Sequence, residues 1–374
     1  EIVKADILAR YWRERGDEVF FNTGTDEHGL KIFREAEKAG LSPQAYADER
    51  AEHFKELKKS LNLSYTNFIR TTDAHHILAA QEFWKQCAGN GDIYKKFYKV
   101  KYCVGCELPK TDSELVNGRC GDHPKEEIEF REEENYFFRF SKYQKPLLEF
   151  YENHPDFVVP DFRFNEIKAF VSRGLEDFSV SRLKEKMPWG VAVPGDDTQV
   201  MYVWFDALVN YISAVGWPDK AEEFGKWWPA VQIAGKDNLR QQSAMWQAML
   251  LSADLSPSKT ILINGFITSG GQKMSKSLGN VLDPLVFAKE YGIDALRYFL
   301  ARHVNSFEDS DVTEEKFRDA YNANLANGLG NLVARVMTLA EEHLKEPAVP
   351  TPPPEAVRSE YEYHLSHYDI KSAM

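Results

Sequence analysis

The first apolar positions of the chain, Ile2, Val3, Ile7, Leu8 and Tyr11, recur at helical spacing and predict a helix to about Arg15. Glu18 to Asn22 (EVFFN) then reads as a short buried strand running into Thr23-Gly24-Thr25-Asp26-Glu27-His28-Gly29. Ser42 and Pro43 supply a cap and a first-turn proline for a long charged helix to about Leu61. A helix begun by Asp73 carries Ile77, Ala80, Phe83, Trp84 and Cys87 on one stripe, which makes Cys87 a core thiol. Strand-like runs return after about residue 198, at Gln199 to Phe205 (QVMYVWF), Val231 to Ala234 and Thr260 to Ile267 (TILINGFI). Gly270 and Gly271 follow as a hinge, and Val281 to Tyr291, with Pro284 early in it, predicts a helix. Beyond Asp294 the pattern is helical through Phe317 to Leu344; Pro347, Pro350 and Pro352 to Pro354 break it, and residues 355–374 are weakly helical.

Strands alternating with helices predict an α/β fold, a Rossmann-type parallel sheet whose ligands sit at the carboxyl ends of its strands. Three polar clusters fall at such places: Asp26 to Gly29, Asp206 with Ala207, and Gly235-Lys236-Asp237. We expect residues 1–95 and 198–262 to be two halves of this sheet domain, split by an insert over 96–197. A loop-and-helix region over 263–322 and a mostly helical region over 323–374 follow. The opening helix has no cap ahead of it and residue 1 is Glu, so the numbered chain is expected to begin inside an element of a longer protein.

At 374 residues, with 43% hydrophobic and 28% charged content, the chain has the composition of a globular protein of two or three domains. Its net charge of −12 argues against a general nucleic-acid coat or a membrane-surface binder, although basic residues gathered on one face would still serve a specific nucleic acid. No run approaches the apolar length of a membrane span, which favours a soluble, cytoplasmic protein.

Two motifs carry chemistry. Cys103-Val-Gly-Cys106 and, thirteen residues later, Cys120-Gly-Asp-His123 form two ligand hooks. Each two-residue gap lets a tight turn aim both side chains at one ion, and four ligands close a tetrahedral, hence structural, zinc shell. The alternative is three free cysteines and a surface histidine. Between the hooks, Thr111 and Glu114 stand at capping-box spacing, so Lys110 to Gly118 is expected to hold one helical turn. The second motif, Lys273-Met274-Ser275-Lys276-Ser277, places two ammonium groups and two hydroxyls on a loop after the glycine hinge. Such a loop could close over a polyphosphate, or be a solvated turn with snorkelling lysines.

Taken in order along residues 1 to 345, these motifs resemble the class I aminoacyl-tRNA synthetases and, within them, the methionyl-tRNA synthetase family. The carriers are Thr23 to Gly29, Tyr202-Val203-Trp204-Phe205-Asp206-Ala207, Gly235-Lys236-Asp237, the single knuckle and the Lys-Met-Ser-Lys-Ser loop. The resemblance implies activation of methionine by ATP to methionyl-adenylate, then transfer to the terminal ribose of tRNA(Met). It assigns Lys273, Lys276 and Ser277, with magnesium, to the ATP phosphates and Asp26 to the methionine ammonium. Trp204, Ala207, Leu208 and Tyr211, with Asn238 and Gln242, would form the side-chain pocket. Arg182 would lie near the substrates; on residue type alone it reads as a surface ion-pair partner. Gly235 and Asp237 would approach the adenosine. Asn331 and Arg335, at i and i+4, match an anticodon-reading pair, against the alternative of a solvated helix face.

The sequence departs from the family at three points. The class's His-x-Gly-His turn and first strand would precede Glu1, Asn238 and Gln242 replace an apolar residue and a histidine, and most of a helical anticodon-binding bundle would follow Met374. The rival readings are another class I synthetase for an apolar amino acid and a non-catalytic tRNA-binding or zinc scaffold protein. A 100-residue insert leaves little room for an editing domain. Oligomeric state is not encoded in any of these motifs.

Overall fold

The computed structural model describes residues 1–106, 108–110, 115–274, 280–349 and 351–374. Thr111, Glu114, Lys276 and Ser277 therefore lie outside the described residues, as does the Lys273 side chain.

The first helix, Ile2–Glu14, buries Val3, Leu8 and Tyr11 and leads to the strand Asn22–Thr25. That strand pairs in parallel with Asn67–Arg70, in the register Thr25 to Arg70. Helices Leu30–Ala39 and Pro43–Ser60 make the crossover, and the Ser42 side chain caps the second by accepting from the Ala45 amide. The strand expected at 18–22 thus lies later. Phe20 and Phe21 instead turn their rings to Trp227 and Tyr65, and only from Asn22 does the backbone run alongside its partner. Gly24 permits this approach, since a Cβ there would collide with the Ile69 carbonyl oxygen.

A second parallel set orders Val231–Gly235, Thr260–Asn264 and Val158–Val159. Thr260–Asn264 is buried at every position, which explains its unbroken apolar pattern. The segment expected to form an insert over 96–197 therefore gives a strand to this sheet. Its own sheet is antiparallel, with Ile93–Cys103 between Leu108–Lys110 and Glu129–Phe138, and Phe178–Ser179 beyond.

Two expected elements differ in kind. Gln199 to Phe205 is not one parallel strand. Asp196–Met201 pairs antiparallel with Ser181–Leu183 and Ala192–Val193, and the chain turns into the helix Val203–Leu208. The apolar run was too short to separate strand from buried helix by periodicity, and the helix turns the Asp206 carboxylate inward onto polar partners. Between the two hooks, the described part of Lys110 to Gly118 is a hairpin, Leu115–Val116 with Arg119–Cys120, not a helical turn. Asn117 and Gly118, at φ 53° and 76°, make the two-residue turn that favours such a pair.

The main core is aromatic: Phe83, Trp84, Phe138, Tyr151, Phe157, Phe205 and Trp246 pack from the helices, the antiparallel sheet and the parallel sheet. Cys87 lies within it, and burial pushes its thiol up to about 12, as a core role requires. Downstream, helix Asn331–His343 is exposed along its length but for a partly covered Ala340, with Asn331 and Arg335 on its surface. Helices Glu355–Ser366 and Ile370–Ala373 fold back, and Leu365 and Ile370 pack on Leu8, Tyr11 and Leu262.

Asp6 ties the two ends of this scaffold together. Fully buried, it takes Arg10 Nε at 2.7 Å, Arg297 Nη2 at 2.6 Å and the Ser64 amide at 2.5 Å. Burial opposes its charge, but these bonds outweigh it and hold the carboxyl below its ordinary range. Asp6→Ala strands the largely buried Arg297 guanidinium and is expected to cost about 3–5 kcal/mol in urea unfolding.

Candidate functional site

Where the strands end at Thr25, Gly235, Asn264 and Val159, the following residues enclose a cleft of about 840 Å³. Asp26 and His28 follow the first strand, Lys236, Asp237 and Asn238 the second, and Phe266 the third. Trp204 enters from the helix Val203–Leu208, and Gly105, Cys106 and His123 of the knuckle close another side.

The loop that presents Asp26 is held on both sides. Glu27, next in the chain, receives two bonds from Arg70, at 2.8 and 2.9 Å, and one from Thr25 Oγ1 at 2.6 Å. Its carbonyl oxygen accepts from Trp189 Nε1 at 2.6 Å, and its amide donates to Thr71 Oγ1 at 2.9 Å. Of the two neighbouring acids, Glu27 is thus buried and spent on structure, while Asp26 is exposed on the cleft.

His28 turns inward. Its Nδ1 lies 2.6 Å from Asp206 Oδ2, the other carboxylate oxygen lies 2.9 Å from His76 Nε2, and His76 Nδ1 lies 2.9 Å from Ser213 Oγ. All four side chains are buried, Asp206 and His76 completely. For His28, burial acts against the charge, but the Asp206 carboxylate and its hydrogen bond prevail and hold the imidazole above its ordinary value. For Asp206, burial acts to raise the value, and the charge of His28 with hydrogen bonds from both histidines brings it down to about 2.

The cleft brings Asp26, Trp204, Asp237 and Asn238 together and leaves other expected residues off its lining. Ala207 and Leu208 are buried in the helix that carries Trp204. Tyr211 accepts a hydrogen bond from Gln242 Nε2 at 2.8 Å, and burial, moderated by that bond, pushes its phenol up to about 12. The Gln242 oxygen is buried with no hydrogen-bond partner among the described residues. Gly235 ends its strand within the core. Arg182 is not the surface ion-pair residue its type suggests. Its guanidinium sits 4.4 Å from the Tyr202 ring centroid, with Nη1 bonded to Ser179 Oγ at 2.9 Å and the Ser181 carbonyl at 2.6 Å. Asn331 and Arg335 stand on an exposed helix and do not line the cleft.

Sequence reasoning overlooked His76 and Ser213. The readable signal was a lone imidazole on the stripe of Ala80, Phe83 and Cys87, where an ionisable group needs a buried partner.

In the knuckle, Cys103, Cys106, Cys120 and His123 bring their ligand atoms within 4.8 Å of one another. Cys106 Sγ lies 3.3 Å from Cys120 Sγ and 3.2 Å from His123 Nδ1. Bonds of about 2.3 Å to a tetrahedral ion would space sulfur atoms about 3.8 Å apart, so the four donors are gathered closely enough to hold one metal ion after a shift of a few tenths of an ångström. Gly105 is required, because a Cβ there would strike the His123 ring.

Comparison with known proteins places this fold among the class I aminoacyl-tRNA synthetases. The profile of the family described as tRNA synthetases class I (M) matches residues 1–127 and 111–337. The chain is 47% identical over 344 residues to a methionine–tRNA ligase of Thermosynechococcus vestitus, covering 90% of this chain and 65% of that one. With a methionine–tRNA ligase of Rickettsia bellii it shares 41% over 372 residues, 99% of this chain and 72% of that one. Its fold matches the Mycobacterium tuberculosis methionyl-tRNA synthetase bound by methionyl-adenylate, with a TM-score of 0.91, 36% identity, and coverage of 100% of this chain and 76% of that one. The chain belongs to the methionine–tRNA ligase family. It spans 65% of the length of the Thermosynechococcus protein and 54% of a relative from Thermotoga maritima.

The His28–Asp206 pair gives the fold a defined pH window. A raised imidazole contributes stability fully below its unfolded value near 6.5, and loses it as pH rises through the folded value. A depressed carboxyl contributes above its unfolded value near 3.8 and loses it as pH falls through about 2. The pair therefore contributes most between these two unfolded values. Asp206→Asn is expected to lose about 3–5 kcal/mol at pH 5.5 in urea unfolding, and to lack the wild-type decline above pH 6.5.

Proposed function

We propose that this chain is the activating core of a methionine–tRNA ligase working in the cytoplasm. It would join methionine and ATP as methionyl-adenylate, release pyrophosphate, and pass the methionyl group to the terminal ribose of tRNA(Met). The supporting observation is a cleft of about 840 Å³ that gathers Asp26, Trp204 and Asp237 at the strand ends.

Asp26 would pair with the methionine ammonium, its position set by the anchored Glu27 beside it. Trp204 would form the aromatic wall for the thioether, with Ala207, Leu208, Tyr211 and Gln242 shaping the pocket from inside. Asn238 would line its mouth. Arg182, clamped beside Tyr202, would support the adjacent backbone and substrates. Asp237 would take ribose hydroxyls beside Gly235. In this reading the carboxylate attacks the α-phosphorus in line, so the residues act by placing the reactants and balancing charge. Lys273, Lys276 and Ser277 would receive the phosphates; magnesium bound with ATP would neutralise the charge that moves onto pyrophosphate. Zinc on Cys103, Cys106, Cys120 and His123 would have a closed shell and serve structure. Asn331 and Arg335, both exposed on one helix face, would read anticodon bases.

ATP–pyrophosphate exchange by the full-length protein is expected to depend on methionine, and not on leucine, isoleucine or valine. Exchange driven by one of those three would overturn the assignment. Asp26→Asn is expected to lower kcat/KM for methionine by about 10²- to 10³-fold. Metal analysis of the purified protein is expected to find about one zinc per chain, and Cys106→Ala, which breaks a closed four-ligand shell, to lose it and lower the melting temperature.

A further inference from the structure

Beneath the cleft lies a polar chain that the chemistry above does not use. Asp206 joins three parts of the fold: His28 from the loop after Thr25, His76 from helix Ala74–Gly89, and its own helix Val203–Leu208. His28 follows Asp26 by two residues, and Asp206 follows Trp204 by two. The carboxylate bridge therefore spans the loop and the helix that carry two of the cleft's walls.

We propose that His28, Asp206 and His76 are positioning residues of the amino-acid site, clamping the Asp26 loop against the Trp204 helix. This rests on reading the cleft as the methionine site. A carboxylate and two imidazoles buried together cost desolvation that apolar side chains of the same volume would avoid, and such groups collect at functional sites. Other bonds hold the loop to its own side of the fold: Glu27 is fixed by Arg70 and Trp189, and the Gly29 amide donates to the Trp189 carbonyl at 3.2 Å, while His28 ties it to the Trp204 helix. His28 lines the cleft while its Nδ1 is committed to Asp206. The charged and titratable groups around His28 are Asp206 and His76 on neighbouring helices, Asp26 and Glu27 on its own loop, and Lys31 in the following helix, which lines the same cleft. Burial opposes the charge of His28, but three of these are carboxylates, led by Asp206, and they hold the imidazole above its ordinary value. Loss of its proton weakens the Asp206 bridge.

The test is the pH dependence, from 6 to 9, of the methionine KM in pyrophosphate exchange by the full-length protein, with kcat, ATP KM and melting temperature recorded alongside. In the wild type, methionine KM is expected to rise about tenfold along the alkaline limb while ATP KM stays level. His28→Ala is expected to raise methionine KM about 10- to 100-fold at every pH. His28→Asn keeps an N–H toward Asp206 but carries no titrating charge; its KM is expected to lie between the two and show no alkaline limb. A His28→Ala protein with wild-type methionine KM, or a His28→Asn protein that keeps the wild-type limb, overturns the proposal. Should His28→Ala fail to fold, the His28→Asn profile decides alone. A wild type that responds to ATP but to no concentration of methionine removes the functional reading and this inference with it, whereas a methionine-dependent wild type with indifferent variants removes this inference only.

Discussion

The arrangement of the cleft depends on one buried carboxylate. Asp206 sits in the interior with an imidazole on each oxygen, and neither the loop of Asp26 nor the helix of Trp204 can shift without breaking a bond to it or moving it as well. A charge in such a place is tolerable only when it is fully paired. Its requirement is met from residues 178 and 130 positions away in sequence, so the same contact that stabilises Asp206 also draws the two halves of the chain together. Glu27, next to Asp26, repeats the arrangement with Arg70 in place of histidine.

Around this point the fold supplies rigid walls. The parallel strands deliver their carboxyl ends to one region, the aromatic core packs behind the Trp204 helix, and the knuckle contributes Cys106 and His123 to the rim. A metal at the knuckle would therefore order part of the cleft's boundary even though a closed four-ligand shell offers no open position for chemistry. The pairing of Val158–Val159 with Thr260–Asn264 keeps the antiparallel region and the sheet from being independent bodies: the chain that carries the knuckle returns through the sheet before it reaches Trp204.

What could be read from sequence followed the range of the interaction. The helix over 43–60 was legible because Ser42 and Pro43 are local instructions, and the knuckle because its spacing alone brings four ligands to one point. Short apolar runs misled at 18–22 and 199–205, where tertiary pairing decided between strand, loop and helix. Asp26, Trp204 and Asp237 stood in recognisable motifs and do share a cleft. The partnership of His76 and Ser213 with Asp206 was not legible, since no local pattern tells a histidine on an apolar stripe which distant carboxylate it will meet. Arg182 failed for a related reason: an arginine in a polar tetrapeptide gives no hint that two tyrosine rings will enclose it.

The most direct measurement of this account is the protonation of the His28 ring, followed by nitrogen NMR of histidine-labelled protein with His28→Asn as the assignment control. The account predicts that the ring titrates above its ordinary value near 6.5, held there against burial by the Asp206 carboxylate. It further predicts that Asp206→Asn brings that titration down. A ring that titrates at or below 6.5, or a titration that does not respond to the loss of the Asp206 charge, would contradict it.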